Sequence, residues 1–249
     1  MSSFLVLWDV DYTLVNAYGV GRNLYRAVFA DLYGRELPAV ADGASMAGRT
    51  DRAIALEVLT LAGLPEPQQL IDAFQAVQAA RAAELAEAVR EHGIVLPGAG
   101  AAIAALASLH EPGRQVVQSL LTGNIRPLAE VKLSPLGLLD HLDLDAGAYG
   151  DVHEVRAELV HAARHNASRI YGHSFAGEAT VLVGDTPRDI EAALATGARA
   201  VGVATGSFTA AQLTAAGAHA ALSDLTDTRK VLTAILGDPV AAPSPSPPP

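Results

Sequence analysis

The part of the chain that follows residue 95 alternates between strand-like and helix-like segments, and this alternation restricts the folds that the chain can adopt. Short, wholly apolar runs are typical of buried strands, whereas apolar residues that recur every three or four positions indicate helices. The predicted strands are 4–9, 115–121, 180–184, 199–205 and 220–222, and the predicted helices are 98–110, 156–166, 187–196 and 210–216. Strands that alternate with helices form a mostly parallel sheet with helices on both faces. The sequence therefore predicts an α/β fold built on a doubly wound parallel sheet.

Residues 16–94 interrupt this alternation, because they contain no convincing strand. Three amphipathic helices are predicted there instead, at 23–33, 51–62 and 66–91, and Thr50 is a suitable N-cap for the second of them. The simplest organisation is an α-helical domain inserted after the first strand. We therefore predict a core of residues 1–15 and 95–237, a helical cap of residues 16–94, and a disordered Pro/Ser-rich tail of residues 238–249.

The composition is that of a globular protein and argues against two classes of partner. Half of the 249 residues are hydrophobic and 18% are charged. The 17 basic and 27 acidic residues give a net charge of −10, so we expect no binding to nucleic acid or to an anionic membrane. No cysteine is present, which excludes disulfides and thiolate metal sites. We recognise no signal peptide and no run of about 18 apolar residues, and therefore expect a cytoplasmic protein.

Polar side chains follow three of the predicted strands at their carboxyl ends. Asp9 and Asp11 end the first strand, and in an extended chain their carboxylates would lie on the same face. Like charges so close are unfavourable unless a cation lies between them or one carboxylate keeps its proton. The segments 122–124 (TGN) and 184–189 (GDTPRD) follow two other strands. Parallel sheets bind ligands at this edge, which makes the three segments one candidate site.

Each segment also has a local structural explanation. The run DVDYT at 9–13 has residues that favour turns, but it is not a calcium loop, because Leu14 stands where that loop needs glycine. The run TGN is also typical of a turn. Thr186 is a candidate N-cap and Asp189 its partner in a capping box, an explanation that leaves Asp185 without a role.

Together, and in this order, the three segments resemble the motifs of the haloacid dehalogenase superfamily, the Mg²⁺-dependent aspartyl phosphatases. The runs DVDYT, LLTGN and VGDTPRD are similar to its first, second and fourth motifs. The insert resembles the mobile cap of the branch that includes phosphoglycolate-phosphatase-like enzymes, as do the segments 202–208 (GVATGSF) and 213–225. The resemblance covers the chain except for its tail. It implies a Rossmann-like core with an inserted helical cap and, as substrate, a small phosphorylated metabolite.

The resemblance also implies roles for the acidic residues. Asp9 would be the nucleophile that attacks phosphorus and forms an aspartyl-phosphate. Asp11 would be the general acid that protonates the leaving oxygen and then the base that activates water. A Mg²⁺ ion would be bound by Asp9, the backbone carbonyl of Asp11 and Asp185, with Asp189 supporting these ligands. Oxygen ligands without sulfur suit Mg²⁺ better than Zn²⁺.

The resemblance implies in addition a group of residues that bind phosphate. Thr122, with the backbone of Gly123 and Asn124, would hold the oxygens of the transferring phosphoryl group. The family also places a cation beside the nucleophile, usually a lysine. We predict that Arg156 is this cation; the alternative is Lys132, which follows Thr122 more closely than the motif leads one to expect.

The insert is predicted to determine substrate specificity. Arg49 lies at the loop that related enzymes point towards the leaving group, where it would bind a carboxylate or a second phosphate. Tyr18 and Arg22 are weaker candidates. An ordinary solvated arginine explains Arg49 equally well. Hinges near residues 15–20 and 92–97 would let the cap close over Asp9.

Several reactions of the superfamily are separated by these residues. An acid at Asp11 favours phosphoryl transfer over dehalogenation, and the absence of lysine from residues 16–94 excludes the Schiff base of phosphonoacetaldehyde hydrolases. A sugar-phosphate mutase stays open as an alternative to a phosphatase. A catalytically inactive binding or regulatory module is a third possibility, disfavoured by the intact Asp9, Asp11 and Asp185. The sequence leaves open whether the protein is a monomer or a homodimer.

Overall fold

The computed structural model describes residues 2–109 and 114–237. Its strands are β1 (Ser2–Trp8), β2 (Val15–Asn16), β3 (Ile94–Val95), β4 (Arg114–Leu120), β5 (Thr180–Gly184), β6 (Arg199–Val203) and β7 (Ala220–Leu222). Its α-helices are α1 (Val20–Tyr33), α2 (Ala39–Asp42), α3 (Asp51–Leu61), α4 (Pro67–Ala82), α5 (Ala86–His92), α6 (Ala99–Ala107), α7 (Arg126–Leu133), α8 (Arg156–Tyr171), α9 (Pro187–Ala195), α10 (Ala210–Ala215) and α11 (Thr228–Leu236).

The central sheet has five parallel strands in the order β4-β1-β5-β6-β7. The strand β1 lies between β4 and β5, so the chain passes from one side of β1 to the other when it runs from β4 to β5. Trp8 pairs with Leu120 of β4 and with Val183 of β5, which brings the ends of the three strands to one level. The loops that follow them therefore meet at a topological switch point, the usual ligand site of such sheets.

Helices cover both faces of the sheet, which confirms the predicted α/β class. Val6 and Trp8 of β1 pack with residues of α6 and α11, whereas Leu5 and Leu7 pack on the opposite face with residues of α8 and α9. This arrangement explains why β1 has no polar alternation: both of its faces are buried. None of the helices in residues 2–109 and 114–237 combines the length and the apolar character needed to cross a bilayer.

Most predicted core elements are present, with two additions. The strands 180–184 and 220–222 have the predicted bounds, and α8 runs five residues beyond the predicted end at 166. The helices α7 and α11 were not predicted. The predicted disordered tail, 238–249, and the end of the predicted helix 98–110 lie outside the described residues.

The insert consists of α1–α5 and differs from its prediction in several details: α1 begins at Val20 rather than at 23, and the short helix α2 was not predicted. The long helix predicted at 66–91 is broken into α4, a single 3₁₀ turn at Ala83–Leu85, and α5. In addition, β2 and β3 pair antiparallel where the chain enters and leaves the insert, a ribbon that the sequence analysis missed. Two-residue strands are too short to show a period of two, which is why no pattern revealed them. Thr50 does cap α3, since its side chain accepts the N–H of Ala53.

The apolar core of the insert continues into the sheet domain through α7. Ile125, Leu128 and Val131 belong to the same buried cluster as Leu24 and Phe29 of α1. The insert is thus packed against α7 as well as joined to the core by β2 and β3. A movement that lifted the insert away would expose part of this cluster to water, which costs free energy in proportion to the apolar area exposed.

Candidate active site

Three carboxylates meet beyond the carboxyl ends of β1 and β5. Asp9 follows β1 directly, and its backbone N–H donates to the carbonyl of Val183 at 2.9 Å. Asp185 follows β5, and Asp189 lies in the first turn of α9. One oxygen of each of the three carboxylates lies within 4.8 Å of the others, and all three residues are buried. Oxygen atoms grouped in this way could hold a divalent cation.

Burial and mutual repulsion make this acidic cluster unfavourable in its charged form. Burial raises the pKa of Asp9 to about 7, opposed by the charge of Arg156 and increased by the nearby Asp189 and Asp11. Burial also raises the pKa of Asp185 to about 9, with further contributions from the charges of Asp9 and Asp189. A divalent cation bound among these oxygens would relieve both effects.

Arg156 is the cation beside Asp9. It is the first residue of α8, and its Nη2 lies 3.0 Å from Oδ1 of Asp9 and 2.6 Å from Oδ1 of Asp189. The same nitrogen donates to the carbonyl of Leu121 at 3.3 Å. Burial by itself would lower the pKa of Arg156, but the charges of Asp189 and Asp9 raise it above its ordinary value. The guanidinium therefore stays charged and holds two of the three carboxylates in place.

Asp189 caps α9 and also faces the acidic cluster. Its Oδ2 accepts the backbone N–H of Thr186 at 3.0 Å and the Thr186 hydroxyl at 2.7 Å, which confirms the predicted capping box. Its Oδ1 faces Arg156 and the acidic cluster. A β-carbon on Gly184 would lie 2.2 Å from Cγ of Asp189, so the close approach of this side chain to β5 requires glycine there.

A second cation, Lys132 of α7, holds Asp11. Its Nζ lies 2.8 and 2.7 Å from the two carboxylate oxygens of Asp11 and 2.7 Å from Oδ1 of Asn124. The amide nitrogen of Asn124 donates to Asp11 at 2.7 Å and to Oγ1 of Thr122 at 2.8 Å. The two cations that the sequence offered as alternatives thus occupy different carboxylates: Arg156 is at Asp9 and Lys132 at Asp11.

A signal for the position of Lys132 is nevertheless present in the sequence. In the segment 126–133, Lys132 lies four residues after Leu128 and three residues after Ala129. Residues at these spacings share one face of a helix. A lysine on an otherwise apolar face needs a buried partner. The structure supplies that partner from the first motif, 121 residues earlier in the chain.

The loop that follows β4 is fixed by the beginning of α3 in the insert. The N–H of Asp51 donates to the carbonyl of Gly123 at 2.6 Å, and the N–H of Arg52 donates to the carbonyl of Gly150 at 2.9 Å. A β-carbon on Gly123 would lie 1.8 Å from the carbonyl oxygen of Arg49. Only glycine at this position lets the insert approach so closely.

Asp51 joins the two domains a second time through its side chain, a role that the sequence analysis missed. Its Oδ2 accepts the backbone N–H of Ile125 at 2.8 Å, and its Oδ1 accepts the hydroxyl of Tyr25 at 2.8 Å. Burial raises the pKa of Asp51 to about 6, although these two hydrogen bonds oppose the shift. In the sequence, an acidic residue after the N-cap Thr50 is fully explained by the first turn of a helix, which concealed this contact.

The carboxylates open into a cavity of about 390 Å³ between the insert and the sheet domain. Asp9, Asp11 and Thr122 line it on one side, and Arg22 and Arg49 line it on the other. The insert therefore lies over the acidic cluster, and the site is enclosed by residues that are far apart in the sequence.

The guanidinium of Arg49 is bound within the insert. Its Nη1 donates to the carbonyl of Ser45 at 3.0 Å and to the carboxylate of Glu57, and its Nη2 donates to the carbonyl of Ala53 at 3.1 Å. The structure thus brings Arg49 to the cavity, as the sequence indicated, with its charge already paired to an acidic residue of α3.

Residues 6–194 match the family model of the haloacid dehalogenase-like hydrolases. The chain belongs to this family. The match spans the three motifs and confirms the resemblance found in the sequence. The protein is accordingly a hydrolase of this family, whose members generally use a divalent metal, and its acidic cluster is placed to hold one. No curated protein matches the chain with significant sequence similarity.

Solved structures support the fold over nearly the whole chain. A hydrolase from Pseudomonas syringae has a TM-score of 0.63 at 20% identity, covering 94% of this chain and 99% of the other. A predicted phosphoglycolate phosphatase from Lactobacillus plantarum has a TM-score of 0.60 at 16% identity, covering 93% and 100%. A predicted beta-phosphoglucomutase from Bacteroides vulgatus has a TM-score of 0.57 at 16% identity, covering 94% and 89%. At these identities the similarity concerns the fold.

Proposed function

We propose that the protein is a Mg²⁺-dependent phosphatase that hydrolyses a small phosphomonoester through an aspartyl-phosphate on Asp9. One observation carries this proposal: Asp9 and Asp11, two residues apart, have separate cationic partners, Arg156 and Lys132. Carboxylates in different environments can serve different steps of one reaction. Asp9 belongs to the acidic cluster, as a nucleophile beside a metal should, whereas Asp11 lies outside it and is bound by Lys132.

In this proposal the donor set fits a hard divalent cation. Asp9, Asp185 and the backbone carbonyl of Asp11 would hold Mg²⁺, with Asp189 beside them, because Mg²⁺ prefers carboxylate and carbonyl oxygens. When bound, the ion would neutralise charge on the phosphoryl group. The raised pKa values of Asp9 and Asp185 support the assignment, since burial and mutual repulsion outweigh the charge of Arg156 and a bound cation would offset them.

The chain's own residues would perform two steps. In the first, a carboxylate oxygen of Asp9 bonds to phosphorus while the bond from phosphorus to the ester oxygen breaks, and Asp11 gives its proton to that oxygen. In the second, Asp11 takes a proton from water as the water oxygen attacks phosphorus. The bond between phosphorus and Asp9 then breaks, which releases inorganic phosphate and restores the nucleophile.

Thr122 and the backbone of Gly123 and Asn124 would hold the phosphoryl oxygens in both steps. The Thr122 hydroxyl accepts the Asn124 side-chain amide at 2.8 Å and its backbone N–H at 3.3 Å. Because the oxygen is thus engaged as an acceptor, its own hydrogen is left to donate to the substrate. Donors fixed in advance in this way are the main contribution that a protein makes to phosphoryl transfer.

Turnover of p-nitrophenyl phosphate, with Mg²⁺ and after treatment with EDTA, tests this function. We expect activity that is lost with EDTA and restored by Mg²⁺, and none in Asp9→Asn, whose amide has a similar shape but is a poor nucleophile. Activity that survives complete chelation would reject the metal assignment. A folded wild-type protein without any turnover would favour the inactive binding module.

A sugar-phosphate mutase would use the same core, so the products distinguish it from a phosphatase. Release of inorganic phosphate from hexose phosphates supports hydrolysis, whereas conversion into the isomeric phosphate supports a mutase. A screen of phosphorylated metabolites would then identify the substrate. The cytoplasmic location and the choice between a monomer and a homodimer stay predictions.

A further inference from the structure

The cationic side chains that line the cavity differ in how far their charge is already used. Lys132 is bound to Asp11, Arg156 to Asp9 and Asp189, and Arg49 to Glu57. The remaining cation is Arg22 of α1, which also lines the cavity.

Arg22 forms no ion pair within residues 2–109 and 114–237; its guanidinium donates one hydrogen bond, from Nη2 to the carbonyl of Ala44 at 3.0 Å. Asp42 is an acidic residue of the insert whose pKa the charge of Arg22 helps to lower. Both carboxylate oxygens of Asp42 are bound by Arg26, each at 2.8 Å. Arg22 therefore keeps most of its donors for a ligand, and the bond to Ala44 holds the group in place.

The position of Arg22 relates it to the leaving group. A β-carbon on the preceding residue, Gly21, would lie 3.8 Å from Nζ of Lys132, so this turn of α1 lies against the lysine that holds Asp11. In the proposed function Asp11 protonates the leaving oxygen. The rest of the leaving group must then extend from Asp11 into the part of the cavity that α1 borders.

We infer that Arg22 binds a second anionic group of the substrate, a carboxylate or a second phosphate carried by the leaving group. This inference rests on the proposed function and narrows its substrate class. A guanidinium binds such groups through paired, charge-assisted hydrogen bonds. Asp11 and Asp51 also line the cavity, and their negative charges would repel a second anion unless a cation that is not already paired accepted it.

Arg22 rather than Arg49 is assigned this role because of their partners. Arg49 would have to leave Glu57 and two backbone carbonyls before it could bind a substrate anion. Arg22 would give up no carboxylate. The difference could not be deduced from the sequence, in which both residues are arginines of the insert near the first motif.

Binding measured in the Asp9→Asn protein tests the inference without turnover. The probes form two matched pairs. In the first pair, 3-phosphoglycerate has a carboxylate where glycerol phosphate has a hydroxymethyl group. In the second pair, propane-1,3-diol bisphosphate has a second phosphate that 3-hydroxypropyl phosphate lacks. For at least one pair, we expect the member with the additional carboxylate or phosphate to have a Kd lower by about 10- to 100-fold, the range for charge-assisted hydrogen bonds. The pair that shows this difference in Kd identifies the second anionic group as a carboxylate or a phosphate.

Adding Arg22→Gln should bring the ratio of Kd values in that pair close to one, and Arg22→Lys should restore part of it. Arg90→Gln is the control, because Arg90 is an exposed arginine of the insert that is paired with Glu87 and lies outside the cavity. A ratio that Arg22→Gln leaves unchanged, or no preference for the more anionic member of either pair, overturns the inference. Failure of the proposed function would appear separately, as absence of turnover in the wild-type protein.

Discussion

The ammonium group of Lys132 lies 2.8 and 2.7 Å from the two carboxylate oxygens of Asp11. Asp11 thereby has its own cation, separate from the one at Asp9, although the two aspartates are two residues apart. If Asp11 is the acid that protonates the leaving oxygen, its loss should matter most for substrates whose leaving group is a strong base. An alkoxide needs the proton, whereas p-nitrophenolate leaves without it.

We therefore expect Asp11→Asn to lower kcat/KM for an alkyl phosphate by about 10²- to 10⁴-fold, the range for general acid catalysis, and that for p-nitrophenyl phosphate by much less. Lys132→Gln should also lower kcat/KM more for the alkyl phosphate than for p-nitrophenyl phosphate, because it frees Asp11 to move. Lys132→Arg should retain more activity than Lys132→Gln. Steady-state kinetics on both substrates provide the measurement. Equal losses on the two substrates would contradict the role of Asp11 as acid.

The acidic cluster should make the metal-free protein less stable at neutral pH. The pKa of Asp185 is raised to about 9, so the stability associated with this group is complete below its ordinary pKa and is lost as the pH rises towards 9. Asp185→Asn should remove this loss and stabilise the metal-free protein by about 4 kcal/mol at pH 7.

The same variant should lose the response to the metal. Mg²⁺ should raise the Tm of the wild-type protein, because a ligand that binds only the folded state stabilises it, and should leave that of Asp185→Asn almost unchanged. Thermal unfolding with EDTA and with Mg²⁺ measures both effects. Asp140→Asn, an exposed acid outside the cavity, is the control and should behave like the wild type. If Mg²⁺ raised the Tm of Asp185→Asn as much as that of the wild type, Asp185 would not be a metal ligand.

Asp51 should make the stability of the protein depend on pH in a second interval. Burial raises its pKa from 3.8 to about 6, so its contribution to stability is complete below pH 3.8 and is lost as the pH rises to about 6. Above that pH the ionised, buried carboxylate should cost about 3 kcal/mol relative to an unshifted group.

Urea unfolding of the wild type and of Asp51→Asn between pH 4 and pH 8 tests this prediction. We expect the free energy of unfolding of the wild type to fall relative to that of the variant between about pH 4 and pH 6, and the difference to be constant above that. The amide keeps an oxygen for the N–H of Ile125, so the contact between the domains should persist. A difference that does not vary with pH would show that Asp51 is not the titrating group.

Arg49 provides a comparison with Arg22. From the sequence we predict that Arg49→Ala weakens the use of an anionic substrate more than that of a small aryl phosphate. Because Glu57 already pairs with Arg49, we expect this effect to be smaller than that of Arg22→Gln. In a protein that also carries Glu57→Gln, the effect of Arg49→Ala should be larger, because Arg49 then has a neutral partner. Values of kcat/KM for the same substrate pairs measure the effects of the Arg49, Arg22 and Glu57 substitutions. A larger effect of Arg49→Ala than of Arg22→Gln would assign the second anion to Arg49 instead of Arg22.

The sequence by itself determined the fold class and the acidic half of the site. Apolar runs without alternation predicted buried strands, and the order of strands and helices predicted a parallel sheet whose loops meet at one edge. Asp9 and Asp185 could be placed there because each directly follows a strand, and neighbouring strands in register bring their ends together. These conclusions depend only on residues that are close along the chain and on the general geometry of parallel sheets.

Only the tertiary structure decided the partners of the charged side chains. Lys132 reaches Asp11 because α7 follows β4, the neighbour of β1 in the sheet, and Asp51 reaches Ile125 because α3 docks on the loop after β4. Arg49 is bound to Glu57, whereas Arg22 has no carboxylate partner among the described residues. Periodicity shows which side of a helix is buried, but several distant groups could lie against that side. Which of them does so depends on how whole elements pack, and this is settled by contacts between residues far apart in the sequence.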